Sequence, residues 1–284
     1  MIVDFHTHTF PERIAATTLE KLQGMSHIRP FSDGTQAGLA RSMKQAGIAV
    51  SVVLPVATNA RQVSRVNDAS VQLDHEGAAQ GILSFGCMHP ELEDWEEELE
   101  RIAGLGLKGI KIHPVYQGVD IDDLRFVRIL SKCAQLGLIV VTHAGLDVGF
   151  PGKVNCSPAM IRRALDRAGE VKLVLAHMGG WRNWQEVAGL LADTGAYLDT
   201  SFSLGSMTPN ADGYYQGKDI GLLDESSFVE LVRAFGAQRV LFGTDSPWGG
   251  QTEDVKAILR LPLTDEERTA IFGENACRLL GLTQ

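Results

Sequence analysis

The chain has 284 residues, a formal net charge of −9 and 44% hydrophobic content, and no Pro/Ser-rich linker, low-complexity run or block of like charge divides it. An acidic balance without a Lys/Arg cluster disfavours nucleic acid as a partner and favours a small molecule. No apolar run approaches the roughly 18 residues of a membrane span, and MIVDFHTH lacks a signal peptide's basic and apolar segments, so a cytoplasmic protein without membrane contact is expected, folded as one domain over 1–284.

Short β-branched runs alternate with amphipathic stretches. The runs predict strands at 2–6, 48–54, 82–87, 108–112, 138–142, 171–176, 196–200 and 239–243. Between them a helical period predicts helices at 35–46, 61–79, 93–103, 122–136, 157–168, 183–192, 225–236 and 253–260. Runs such as SVVLPV, LIVV and VKLVLA are apolar on both faces, as parallel strands covered by helices are. Eight such units in about 250 residues point to an α/β chain closed as a single (β/α)8 TIM barrel. Residues after 262 read as extra C-terminal helices, the last being GENACRLLGL with Asn275 as its cap. Two long connections, 9–34 and 201–224, read as lids or walls over the pocket. An open doubly wound sheet shares the alternation, but it cannot easily bring five separated strand ends to one point. Cys87, Cys133, Cys156 and Cys277 lack CxxC spacing and are expected as reduced thiols.

Those strand ends carry the chemistry. His6 and His8 close the first strand (IVDFHTH), His113 the fourth (GIKIHP) and His143 the fifth (LIVVTHAG); His177 closes the sixth (VKLVLAHMGG) and Asp245 the eighth (RVLFGTDSPW). His6 and His8, two residues apart, point to one side and can reach one cation; His143 and Asp245 complete a mixed nitrogen–oxygen shell with a position left for water. Asp4 shares their parity and is expected one layer deeper, orienting a ligand histidine, pairing with Lys111 or serving structure alone. Lys111 is open to three roles: a carbamylated bridge between two ions, a hold on an anionic substrate group, or a neutraliser of Asp4. His113 is expected in the pocket, His89 in a loop, and His27 and His75 receive no role. Trp181 and Trp248 directly follow strand ends and are expected as pocket walls.

With DFHTH, KIHP, THAG, AHMGG, GTDSPW and GENACRLLGL spread over nearly its whole length, the chain resembles the amidohydrolase superfamily, specifically the group that includes aminocarboxymuconate-semialdehyde decarboxylase-like proteins. The resemblance implies a distorted TIM barrel with one divalent ion, usually zinc with manganese as the alternative, held by His6, His8, His143 and Asp245. It further implies that His177 hydrogen-bonds the metal-bound water or the substrate, with a second ion open through Lys111 and His177. Asp245 is expected as the catalytic proton acceptor, and His177 as the group that steadies developing charge. The expected function is metal-dependent hydrolysis of a small ester, lactone or amide. The alternative is non-oxidative decarboxylation of an aromatic or unsaturated acid, with Arg182 or Lys153 gripping the carboxylate. A TatD-like nuclease is less expected because the metal-bridging glutamate of that group is missing, and the intact ligand set disfavours a degenerate binding barrel. Dimers are common in the group, so a homodimer is the assembly the resemblance suggests.

Overall fold

The computed structural model describes residues 1–205, 207–216 and 220–283, and in it eight parallel strands close into a barrel. The strands are β1 (Val3–Thr7), β2 (Val50–Val53), β3 (Ile82–Ser84, resuming at Gly86–Cys87), β4 (Gly109–Ile112), β5 (Ile139–Thr142), β6 (Lys172–Leu175), β7 (Tyr197–Asp199) and β8 (Val240–Leu241). Each pairs with the next in chain order; β3 joins β2 through its first half and β4 through its second. The ring closes between β8 and β1, where Phe5 N–H donates to Phe242 O and Asp245 N–H to His6 O, each at 2.8 Å. All eight strands lie on the apolar runs that predicted them, because a strand covered on both faces needs side chains that tolerate burial on both.

Alternate strand residues feed two cores. Phe5, Val52, Phe85, Val141, Val174 and Leu241 meet inside the barrel. Ile110, Ile112, Val140 and Leu175 point the other way and pack with Phe126, Leu130, Ile161 and Phe228 of the surrounding helices. The predicted helices are all present, and four start at capping residues: Thr35, Asp123, Ser157 and Asp224 each accept from a backbone N–H of the first turn. The extra C-terminal helices seal the end at which the strands begin, with Ala276, Cys277 and Leu280 against the inner core. Asn275 is not a cap. The helix runs into it from Ala270–Glu274, and its buried amide donates to Ala237 O and Val240 O instead, tying the helix to β8.

The connection 9–34 is not a simple loop, for it holds the helix Glu12–Ser26. Only Ala15 and Leu19 of that helix are buried and no side chain caps its start, so its pattern is weak in sequence. Ile28–Arg29, just beyond it, pairs antiparallel with Thr208–Pro209 of the connection 201–224. His27 joins the same strap: its Nδ1 lies 2.7 Å from Asp212 and its ring stacks on Tyr214 at 3.9 Å. The two connections expected as lids are thus fastened to each other; residues 206 and 217–219 of the second lie outside the described residues. All four cysteines are buried and unpaired, and no helix among the described residues is long and apolar enough to cross a membrane.

Candidate metal centre and substrate cavity

At the C-terminal mouth of the barrel, β1 delivers His6 and His8 to Asp245, which follows β8. His8 Nε2 lies 2.9 Å and His6 Nε2 3.3 Å from Asp245 Oδ1. A bulge in β1 between Asp4 and Thr7 breaks its alternation. Asp4 therefore does not sit below the histidines. It accepts from Thr244 N–H and Oγ1, His6 N–H and Gln251 Nε2, between β1 and the helix Gln251–Arg260. Among the described residues nothing joins it to Lys111. Burial raises its pKa to about 7 despite those four donors. Its place is in the framework, holding the backbone from which His6 and Asp245 project.

The outer nitrogen of four of the imidazoles is committed to an acceptor, whereas the buried His113 Nδ1 has no hydrogen-bond partner among the described residues. His8 Nδ1 lies 2.7 Å from Leu54 O, His143 Nε2 2.9 Å from Leu146 O and His177 Nδ1 3.1 Å from Ser201 O. A carbonyl can only accept, so in each case the ring N–H points outward. His6 Nδ1 likewise faces the Asp199 carboxylate at 2.8 Å. The inner nitrogens, His6 Nε2, His8 Nε2, His143 Nδ1 and His177 Nε2, are then left as bare lone pairs. His8 Nε2 faces Asp245 Oδ1, His143 and His177 face each other at 3.1 Å, and His6 Nε2 lies between Asp245 Oδ1 and the Lys111 ammonium, 3.2 Å away. Lone pairs at such distances repel unless a proton or a metal cation lies among them.

Electrostatics agree. Burial first, and then the charge of Lys111, lower His6 to about 4, and burial drives His143 and His113 well below the ordinary imidazole range, so these rings are neutral at pH 7. Burial would raise Asp245, but its contacts with His8, His6 and His177 outweigh it and hold the carboxyl at about 2. Asp199 is held well below the usual carboxylate range: burial is outweighed by His6, His177 and Ser201. Neutral imidazoles beside an ionised carboxylate make a nitrogen–oxygen donor set suited to a divalent ion.

Among the described residues two groups of metal-competent side chains result, His6–His8–Asp245 and His113–His143–Asp147. His143, expected with the first, is grouped instead with the second, where its ring stacks on His113 at 4.3 Å. His177 touches both sides, with its ring 5.5 Å from His6 and 4.9 Å from His143. It is held by Asp199, which accepts from its backbone N–H, and by Trp184 Nε1–H, which donates to its carbonyl. Both His177 and Asp245 adopt left-handed φ near +60°, strain of the kind concentrated at functional sites. Asp199, Ser201 and Asp147 escaped the sequence reading. Asp199 ends β7 in AYLDT, and its position at a strand end was the one signal that could have found it.

The floor opens into a cavity of about 1410 Å³ whose lining includes Lys111, His113, Phe202, Trp181 and Trp248. Trp181 is positioned through Gly145, which bridges to it with φ +87°; a Cβ there would sit 2.3 Å from Trp181 N. Arg182 and Lys153 do not line the cavity. Arg182 is exposed with its guanidinium 4.9 Å from the Trp181 ring, and Lys153 is exposed beside Phe150. Of the cations that line it, Lys111 is the buried one; Arg13, Lys21, Arg61 and Arg65 also line it but are exposed.

A family model described as amidohydrolase matches residues 3–282. The chain belongs to the amidohydrolase family. A 2-amino-3-carboxymuconate-6-semialdehyde decarboxylase of Dictyostelium discoideum is 26% identical over 230 residues, 71% of this chain and 60% of the length of that relative. Among solved structures, an uncharacterised TIM-barrel protein of Bordetella bronchiseptica superposes with a TM-score of 0.74 at 20% identity, covering 99% of this chain and 98% of the other. A dihydroxybenzoic acid decarboxylase of Polaromonas, solved with manganese and 2-nitroresorcinol, gives 0.70 at 16% identity over 100% and 97%. Amidohydrolases are enzymes, and in this member of the family the inward-facing lone pairs of His6 and His8, beside Asp245, fit a divalent cation.

Proposed function

We propose that this amidohydrolase is a metal-dependent decarboxylase of a small aromatic or unsaturated carboxylic acid. The reading is carried by one observation, the convergence of unprotonated imidazole nitrogens and the ionised Asp245 beneath an aromatic wall. Hydrolysis was the first expectation, but the relatives described above that have a named reaction are decarboxylases, which favours the alternative. Their names give an unsaturated and an aromatic acid as substrates, and Trp181, Trp248 and Phe202 line the cavity with apolar rings suited to such a molecule.

His6, His8 and Asp245 would hold the ion, with His143 as a further donor; zinc and manganese both suit these ligands. The ion supplies Lewis-acid stabilisation of negative charge on substrate oxygens. The bond between the ring or vinyl carbon and the carboxylate breaks, CO2 leaves, and the electron pair stays on carbon, which takes up a proton. Asp245, ionised at neutral pH, first accepts a proton from a substrate hydroxyl and then returns it to that carbon. His177 Nε2, with its lone pair toward the floor, accepts from a second hydroxyl where the substrate carries one and so orients the ring. The aromatic wall excludes water that would otherwise compete for the proton.

The test is a panel of hydroxybenzoates and unsaturated dicarboxylates given to manganese- or zinc-loaded protein, with CO2 detection, beside a panel of lactones and amides. CO2 release from at least one acid, lost in Asp245→Asn, supports the reading. Turnover confined to lactones or amides would replace it with hydrolysis.

A further inference from the structure

The side chain of Lys111 is 1% exposed, in the floor of the cavity. A lysine this buried is nearly always paired with a carboxylate. Lys111 is not: among the described residues no carboxylate lies within 4.0 Å of its ammonium, and its one hydrogen-bond partner is His6 Nε2 at 3.2 Å. That nitrogen is also the atom His6 would turn to a metal ion, since its Nδ1 is committed to Asp199. One lone pair cannot serve both. When an ion takes it, Lys111 keeps its position in the floor and loses its acceptor, leaving a desolvated ammonium next to a second positive charge. Such an arrangement is costly unless an anion enters.

We infer that Lys111 anchors the substrate's anionic group, with one carboxylate oxygen on the Lys111 ammonium and the other directed to the ion held by His6, His8 and Asp245. The geometry suits this. Lys111 Nζ and Asp245 Oδ1 both lie close to His6 Nε2, at 3.2 and 3.3 Å, so the ammonium and the donor group open on the same small space. A carboxylate has two oxygens about 2.2 Å apart, enough to span neighbouring cationic centres as in other charge-assisted contacts. Arg182 and Lys153, the cations first considered for this grip, lie outside the cavity. The anchor also restricts the substrate class: it selects acids over amides and esters of the same shape. The inference rests on the proposed function only for the aromatic skeleton of the ligand.

The test is calorimetric binding of salicylate, and of uncharged salicylamide, to protein loaded with one equivalent of manganese, wild type against Lys111→Met. Salicylate should bind wild type and weaken about tenfold to a hundredfold in the variant. Salicylamide should bind weakly to both, and manganese stoichiometry should stay at one. Lys111→Met should also melt no lower than wild type, because it removes a buried ammonium without a carboxylate partner; a lysine that merely braces the floor would lower the Tm. Equal salicylate affinity in the two proteins, no salicylate binding to wild type at millimolar concentration, or a bicarbonate-dependent second manganese lost with Lys111 would each overturn the inference, the last by making Lys111 a carbamylated ligand. Salicylate held through Lys111 by a protein that releases CO2 from no acid would leave the anchor standing and remove the decarboxylase reading alone.

Discussion

His8 and Asp245 meet through a nitrogen and an oxygen that both carry lone pairs, and the same is true of His143 and His177. At this scale the outer partners matter as much as the inner donors. Leu54 O, Leu146 O, Ser201 O and Asp199 fix four tautomers, and those tautomers decide which nitrogen is available to a cation. Asp199 is the strongest of these partners because it is charged, and it also accepts from the backbone of His177. Replacing it by Asn should leave every inner donor in the protein yet weaken manganese binding about 10- to 100-fold, read by titration of the EDTA-treated variant. Unchanged affinity would mean that the orientation of His6 does not depend on this carboxylate. Its strand-end position in AYLDT was the one local signal for Asp199; the pairing itself was not legible, since its partner His6 is 193 residues away and only closure of the barrel brings them together.

Elements position these residues more tightly than their own propensities require. The eight strands were legible because burial on both faces demands continuous apolar runs, and the helices because caps such as Thr35 and Ser157 stand where the amphipathic pattern begins. Asp4 was misplaced for a definite reason: parity was counted through a strand that bulges between Asp4 and Thr7. The helix Glu12–Ser26 was missed because it buries too little to leave a clear stripe. The bridge from Gly145 to Trp181 shows what an element junction contributes. Gly145→Ala adds a Cβ against Trp181 N and a side chain at φ +87°, so it should destabilise the protein by about 1–3 kcal/mol in urea denaturation. It should also quench less of the Trp181 fluorescence on ligand binding, as the wall loses its seat. A variant as stable as wild type would show that the two loops separate without cost.

Across the whole molecule, the barrel gathers neutral buried histidines into one mouth, and that choice couples folding to pH. His6 is held at about 4 against an ordinary value near 6.5, and His113 and His143 are displaced in the same direction. Between those limits the unfolded chain binds protons that the folded one refuses, so stability present above pH 6.5 is lost as pH falls toward 4. The slope is about 1.4 kcal/mol per pH unit for each such histidine. Asp245 and Asp199, both held low, add their loss only below pH 4. Asp4 and Asp147, raised by burial to about 7 and about 6, take up protons in the folded state over the same range as the histidines and offset part of their loss, so denaturant unfolding of metal-free protein from pH 8 to 4 should show a shallower net decline below 6.5. A flat profile across that range would mean that the rings already carry protons in the folded state.

Every role assigned to the barrel mouth requires a cation among His6, His8 and Asp245, and the most direct measurement is calorimetric titration of EDTA-treated protein with manganese. Wild type should take up one equivalent, and His8→Ala and Asp245→Asn should each lose that binding while remaining folded by circular dichroism. Wild-type protein that binds no manganese or zinc, or variants that bind it as well as wild type, would contradict the account.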